Sequence, residues 1–149
     1  MQTFLPTPCF RTSLASLDDQ RLGKQRVEAM QLVNVAVRLH DHRGPGIVPW
    51  SRHPAFVMWS NYIPALKWYH NLCIDEWVGR GHRNFMDRYV GVGPRVRMPW
   101  WWDDDAARAR LCASHRSNLL RKDRSWYGQY GWSEPDTFDY YWPTATEQD

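Results

Sequence analysis

The sequence predicts an all-α fold of three main helices with long aromatic-rich loops and an extended C-terminal tail. Three observations carry that expectation. Apolar residues recur at helical spacing over 17–39 and again over 64–78. Three aspartates, Asp103–Asp105, open a further stretch in which acidic groups suit the N-terminal end of a helix dipole. Glycine and proline break the sequence between these stretches. With 149 residues, no repeat and no visible boundary, the chain reads as a single domain over 1–149, long enough for a real core.

Residues 1–15 hold Pro6 and Pro8 among apolar residues, which predicts an arm packed on the body rather than a helix. The first helix is expected from Leu17 to Leu39. Ser16 followed by Asp19 suggests a capping-box-like start, and Leu22, Ala29, Met30, Val33 and Val37 form its core stripe. Arg21, Lys24, Gln25 and Glu28 share another face, one carboxylate among basic groups, with Lys24 and Glu28 at ion-pair spacing. His40 to Gly46 stops the helix, and His40 and His42 read as exposed loop residues rather than metal ligands.

Ile47 to Arg52 is a loop, and Pro54 begins a short helix. A second long helix spans Pro64 to Val78, with Leu66, Trp68 or Tyr69, Leu72, Cys73 and Trp77 inward and Gly79 and Gly81 closing it. Residues 82–102 are irregular. Their Trp100-Trp101-Trp102 run is an aromatic plug under a long loop, or, alternatively, a base-stacking platform. The third helix, Ala106 to Lys122, carries Arg108, Arg110, Arg116, Arg121 and Lys122. A loop over Asp123 to Gly131 and an extended tail over Ser133 to Asp149 complete the chain.

Ten Trp and seven Tyr exceed what a core of this size needs, which puts some of them at the surface or in a cleft. A net charge of +3 permits nucleic-acid binding without demanding it. Cys9, Cys73 and Cys112 are odd in number and widely spaced, giving no disulfide framework or zinc site; a reducing cytoplasm is expected. No signal-peptide pattern or membrane-length apolar run is present. Phosphate-cradling glycine loops, nucleophile elbows and metal-ligand clusters are likewise missing from the sequence. Two features remain: Glu28 on its basic face, and a basic third helix leading into an aromatic, glycine-hinged loop. Cations for phosphates beside ring faces for bases are what a nucleic-acid surface requires.

The chain resembles the pyrimidine-dimer DNA glycosylase/AP lyase family. The residues that carry the resemblance are Thr3-Phe4-Leu5-Pro6, Leu17-Asp18, Arg21 to Ala29, His53-Pro54 and Tyr69-His70-Asn71, then Ala113 to Asp123 and Trp126 to Trp132. It implies three helices in one compact layer with the N-terminal arm between them. It also implies attack on C1′ of a damaged nucleotide by the N-terminal α-amine, an imine, loss of the base, and strand cleavage by β-elimination, with no metal or cofactor.

By position Glu28 corresponds to the family's glutamate, which stabilises the developing positive sugar and shuttles protons. An α-amine titrates at about pH 8, leaving an appreciable neutral fraction for attack. Where the family has arginines beside the glutamate, this chain has Val27 and Gln31, with Lys24 and Arg21 on the preceding turns in their stead. Gln2 is too large for methionine removal, so the amine is that of Met1, or Lys24 forms the imine, or no imine is used. Arg26 reads as a half-buried structural cation.

The implied DNA contacts are Arg21, Lys24, Arg116, Arg121, Lys122, Trp126, Tyr127 and Tyr130. The expected partner is duplex DNA holding a lesion or modified base, bent so that a nucleotide leaves the stack and gripped by a monomer away from any membrane. Two other readings stay open. One is a non-catalytic nucleic-acid-binding module, which has no use for Glu28. The other is an N-glycosidase acting on a different modified base.

Overall fold

A computed structural model describes residues 1–147 of the chain, all of it helix, turn and loop; Gln148 and Asp149, the end of the expected tail, lie outside the described residues. Among the described residues there are seven α-helices and no strand: α1 Phe10–Ala15, α2 Asp19–Asp41, α3 Pro54–Val57, α4 Ile63–Gly79, α5 Trp100–Asp103, α6 Asp105–Lys122 and α7 Arg124–Tyr127. A 3₁₀ turn, Gly128–Tyr130, follows and closes on Gly131 in the left-handed region at φ 67°. The three long helices, α2, α4 and α6, are those expected from the sequence.

Helix α2 starts later than its apolar pattern suggests. Its N-cap is Asp18, whose carboxylate accepts from the Arg21 N–H at 3.4 Å. Ser16 does not cap it, because its hydroxyl turns back to the Ser13 carbonyl at 2.6 Å. Leu22, Ala29 and Val33 are buried as expected, but Met30 is only half-buried and Val37 is exposed. Leu32 and Val35 take the inward positions in their place, and residues 37–41 project clear of the body. His40 is therefore an exposed residue of the last helical turn, not of a loop. Helix α2 packs along α4, which buries Leu66, Tyr69, Leu72 and Cys73; Tyr69, not Trp68, is the fully enclosed ring.

Short helices fill three segments expected to be irregular. Helix α1 follows directly on Pro6 and Pro8, and its Phe10 sits at the hub of an aromatic core. Trp59 and Tyr69 meet it edge-on at 6.1 and 5.6 Å, and Trp68 and Trp102 lie tilted at 5.2 and 4.9 Å. The triple tryptophan forms α5 and is a plug: Trp101 is fully buried and its indole N–H donates to the Met58 carbonyl at 2.8 Å. The many indoles are explained by such pegs. Trp59 donates to Thr3 Oγ1, Trp77 to the Arg83 carbonyl, Trp100 to the Thr144 carbonyl and Trp126 to the Ser16 carbonyl. The bonds of Trp59, Trp100 and Trp126 join distant segments while keeping a buried or half-buried donor satisfied, and that of Trp77 ties the end of α4 to the loop just after it.

Arg26 is the half-buried cation expected of it. Its guanidinium lies 4.3 Å from the Trp77 ring and donates to Asn84 Oδ1 at 3.1 Å. Gly23 lets that ring approach, since a Cβ there would meet Trp77 at 3.1 Å. Asn71 holds the long loop after α4 by bonding both the N–H and the carbonyl of Tyr89, at 2.9 and 2.7 Å.

A cationic cleft built on the N-terminal arm

An extended arm has backbone donors and acceptors that no helix satisfies, so burying it requires side chains to do so. Residues 2–6 are buried, and four parts of the chain answer them. The Gln25 amide of α2 accepts from the Phe4 N–H at 2.8 Å and donates to the Gln2 carbonyl. Tyr69 of α4 donates to the Phe4 carbonyl at 2.9 Å, and Trp59 reaches Thr3. From α6, His115 Nδ1 accepts from the Leu5 N–H at 2.8 Å and Arg116 donates to the Pro6 carbonyl at 2.9 Å. Gln25 was expected on the polar face of the first helix, yet it is 1% exposed, because the arm covers it.

Burial pushes His115 down from its ordinary 6.5 to about 3, so the folded protein holds it neutral. Between those two pH values the unfolded chain binds a proton that the native one refuses. Stability is therefore untouched by this group above the window and falls as pH drops through it, by about 1.4 kcal/mol per unit. His115→Asn places a non-titrating acceptor near the Leu5 N–H. It is expected to flatten the acid limb of urea-unfolding stability between about pH 7 and about pH 4, and an unchanged limb would assign the acid sensitivity elsewhere.

The arm's first residues end in an open cleft of about 320 Å³. The arm contributes Met1, Gln2 and Phe4, while α2 contributes Gln20, Arg21, Lys24, Gln25 and Glu28. Lys122 comes from the end of α6 and Tyr140 from the tail. Glu28 is the one carboxylate in this lining, set among Arg21, Lys24 and Lys122 and beside Met1 and Gln2. Its Oε2 accepts from the Gln2 N–H at 3.1 Å. No ion pair joins Lys24 and Glu28 among the described residues, despite their spacing. Arg21 is fixed by Asp18 at 3.1 Å. Burial tends to raise the Asp18 carboxyl, but hydrogen bonds from Tyr127 and Arg21 outweigh it and hold the group below the usual carboxylate range. Burial and the same aspartate push the Tyr127 phenol up.

Of the residues singled out from the sequence, Met1, Arg21, Lys24, Glu28 and Lys122 meet in this cleft. The rest do not line it. Arg116 is held by Glu134, with Nε at 2.8 Å from its carboxylate, and by Pro6. Arg121 donates to the Asp136 carbonyl at 2.9 Å and to Asn118. Tyr127 is fully buried beneath Asp18, so it supports the end of α2 and leaves no face for a base. Trp126 and Tyr130 both donate to the Ser16 carbonyl, at 2.9 Å each, and brace the turn before α2. Sequence reasoning missed Gln25 as the arm's anchor and Tyr140 as part of the lining. The one signal for the latter was the cluster of tail aromatics.

Among the described residues no three His, Cys, Asp or Glu side chains group as a metal site would require, all three cysteines are free, and no helix is long and apolar enough to cross a membrane.

Fold and site together define an all-helical protein whose own N-terminal residues and a single helical glutamate share a basic cleft. The family profile described as pyrimidine dimer DNA glycosylase matches residues 1–89, more than half of the chain and all of the arm, α2 and α4. The chain belongs to that family, and its general role is that of a DNA-repair glycosylase. No curated protein and no solved structure matches it.

Proposed function

We propose that the chain excises damaged pyrimidines, pyrimidine dimers above all, from duplex DNA by amine attack on C1′, and that it acts as one domain. The observation that carries this reading is the hydrogen bond from the Gln2 N–H to Glu28 at 3.1 Å, which holds the α-amine of Met1 one residue away from the cleft's carboxylate. The amine nitrogen bonds to C1′ as the glycosidic bond breaks, and the base leaves with the electron pair and takes up a proton. Glu28 stabilises the positive charge that develops on the sugar and accepts protons from the attacking nitrogen. Opening of the sugar ring gives the protonated imine. Removal of a C2′ proton then expels the 3′-phosphate and cuts the strand, and water hydrolyses the imine to free the enzyme.

Borohydride reduction tests the reading on dimer-containing and abasic duplexes, with the Met1 amine free. A covalent protein–DNA band whose peptide maps to Met1 is expected. Mapping to Lys24, which lines the same cleft, would move the nucleophile from the arm to α2. A band on abasic DNA alone would point to a different base. No band on either substrate, with the protein folded, would leave a hydrolytic enzyme or a binding module.

Arg21, Lys24 and Lys122 are the side-chain cations in this reading that meet phosphates. Lys24→Ala and Lys122→Ala are each expected to lower the slope of log affinity against log salt by about 1, measured by fluorescence anisotropy on duplex DNA. Arg121→Ala, whose guanidinium is held by the tail, is expected to leave that slope unchanged. Equal slopes for all three would refute the assignment of the cleft lysines.

A further inference from the structure

His53-Pro54 carries part of the family resemblance, yet His53 is not in the cleft lining. It is the N-cap of α3, and its Nδ1 accepts from the Ala55 N–H at 3.0 Å. That bond fixes the neutral tautomer, with the proton on Nε2. The ring is held between two indoles, Trp50 tilted at 5.1 Å and Trp142 edge-on at 5.9 Å. Trp50 adopts the left-handed region at φ 69°, alone among the non-glycine residues described. A bulky residue is strained there. The turn persists because the Ser51 N–H donates to the Val48 carbonyl at 3.1 Å and the His53 N–H to the Trp50 carbonyl at 3.0 Å.

This clamped ring stands near the arm's first residue. Trp142 lies 5.4 Å from Tyr140, which lines the cleft together with Met1. The chain on either side of Trp142 is pinned: the Tyr141 N–H donates to Ser114 at 3.1 Å, and the Thr144 carbonyl accepts from Trp100 at 2.9 Å. Burial, and then the positive charge of the N-terminal amine, hold the His53 imidazole below its ordinary range, so the amine lies within electrostatic reach of the ring. Nε2 has no hydrogen-bond partner in the protein among the described residues and is open to solvent. With Nδ1 occupied and Nε2 protonated, the ring has no free lone pair with which to take a proton from the amine. It offers one neutral, fixed N–H donor. The side-chain cations of the lining come from α2 and α6, whereas His53 brings its donor from another part of the chain.

We propose that the His53 Nε2–H donates to a phosphate adjoining the attacked sugar and so holds C1′ against the Met1 amine. The inference rests on the amine-attack reading above. With C1′ at the amine, the two phosphates of the attacked nucleotide are the substrate's nearest anions. A neutral donor holds a phosphate oxygen without setting a second fixed cation beside the amine. It also releases no counterion, so the contact bears on the attack and leaves the salt dependence of binding alone.

The test uses the full chain as wild type, His53→Ser and His53→Asn, at a temperature where circular dichroism shows each folded. Both substitutions keep a side-chain oxygen for the Ala55 N–H, so α3 keeps its cap, and neither puts a donor where Nε2 stands. Borohydride trapping is timed at saturating protein on an abasic duplex with an ordinary backbone. It is timed again on two duplexes in which a methylphosphonate replaces the phosphate 5′ or 3′ of the abasic sugar. On the ordinary duplex each variant is expected to trap about 10- to 100-fold more slowly than wild type, the worth of one hydrogen bond to a charged group. One of the two methylphosphonates is expected to slow wild type by a similar factor and the variants by less than about threefold, because their partner is already gone. The slope of log affinity against log salt, measured on a reduced abasic duplex, is expected to be the same for all three proteins. Variants that trap as fast as wild type, or losses that multiply on both modified duplexes, would overturn the proposal while the amine-attack reading stands. A slope lowered by about 1 in the variants would also overturn it, by making His53 a cation. Wild type that traps no abasic DNA would remove the amine-attack reading itself.

Discussion

Replacing Glu28 by glutamine is expected to lower base excision by about 10²- to 10⁴-fold while leaving affinity for lesion-bearing duplex within about threefold. The amide oxygen can still accept the Gln2 N–H, so the arm keeps its place. A neutral amide, however, neither stabilises a positive sugar nor takes a proton from the attacking nitrogen. The cleft also loses its single carboxylate, so binding to phosphates has no electrostatic reason to weaken. Single-turnover excision and anisotropy measured on the same preparation check both halves. Parallel loss of binding and excision would count against a catalytic glutamate and return it to the role of an arm anchor.

The second large effect belongs to a residue with no chemistry of its own. Gln25→Leu preserves size but removes the acceptor for the Phe4 N–H and the donor for the Gln2 carbonyl, both buried. Each orphaned group costs about 1–3 kcal/mol, so the variant is expected to lose about 2–6 kcal/mol of stability. For a chain of this length that is a fall in Tm of about 4–24 °C. Activity is expected to fall further than stability accounts for, at temperatures where the variant is still folded, because residues 1 and 2 no longer sit against Glu28. Calorimetry with excision assays well below Tm separates the two losses. A variant of wild-type stability would show that the arm is held without this bridge.

These two residues also mark how far the sequence could be read. Glu28 was legible because a carboxylate among cations at helical spacing is a pattern within one helix, and because the family resemblance fell on the same stretch. The three long helices were legible for the same local reason, as Leu22, Ala29 and Val33 on α2 and Leu66, Leu72 and Cys73 on α4 attest. Gln25 was not, since a polar residue on a helix reads as solvated unless the strand of chain that covers it is known. That strand lies 21 and 23 residues away in sequence. Arg116 and Arg121 misled in the opposite direction. They look like a phosphate-binding face, but Glu134 and the carbonyls of Pro6 and Asp136 already occupy them. Helix α1 was hidden by the prolines before it, and a helix of six residues has too few turns for its periodicity to stand out.

The bond from the Leu5 N–H to His115 spans 110 residues of chain, as does that from Arg116 to Pro6. The arm thus gains these two partners only once α6 is in place. Without the helix carrying His115 and Arg116, residues 5 and 6 lack their seat. Contacts of such separation slow folding, because a long loop must close before they form. The cleft that the arm lines is consequently completed late in folding, after the local turns of α2 and α4 have formed, and its geometry depends on contacts that no single helix holds by itself.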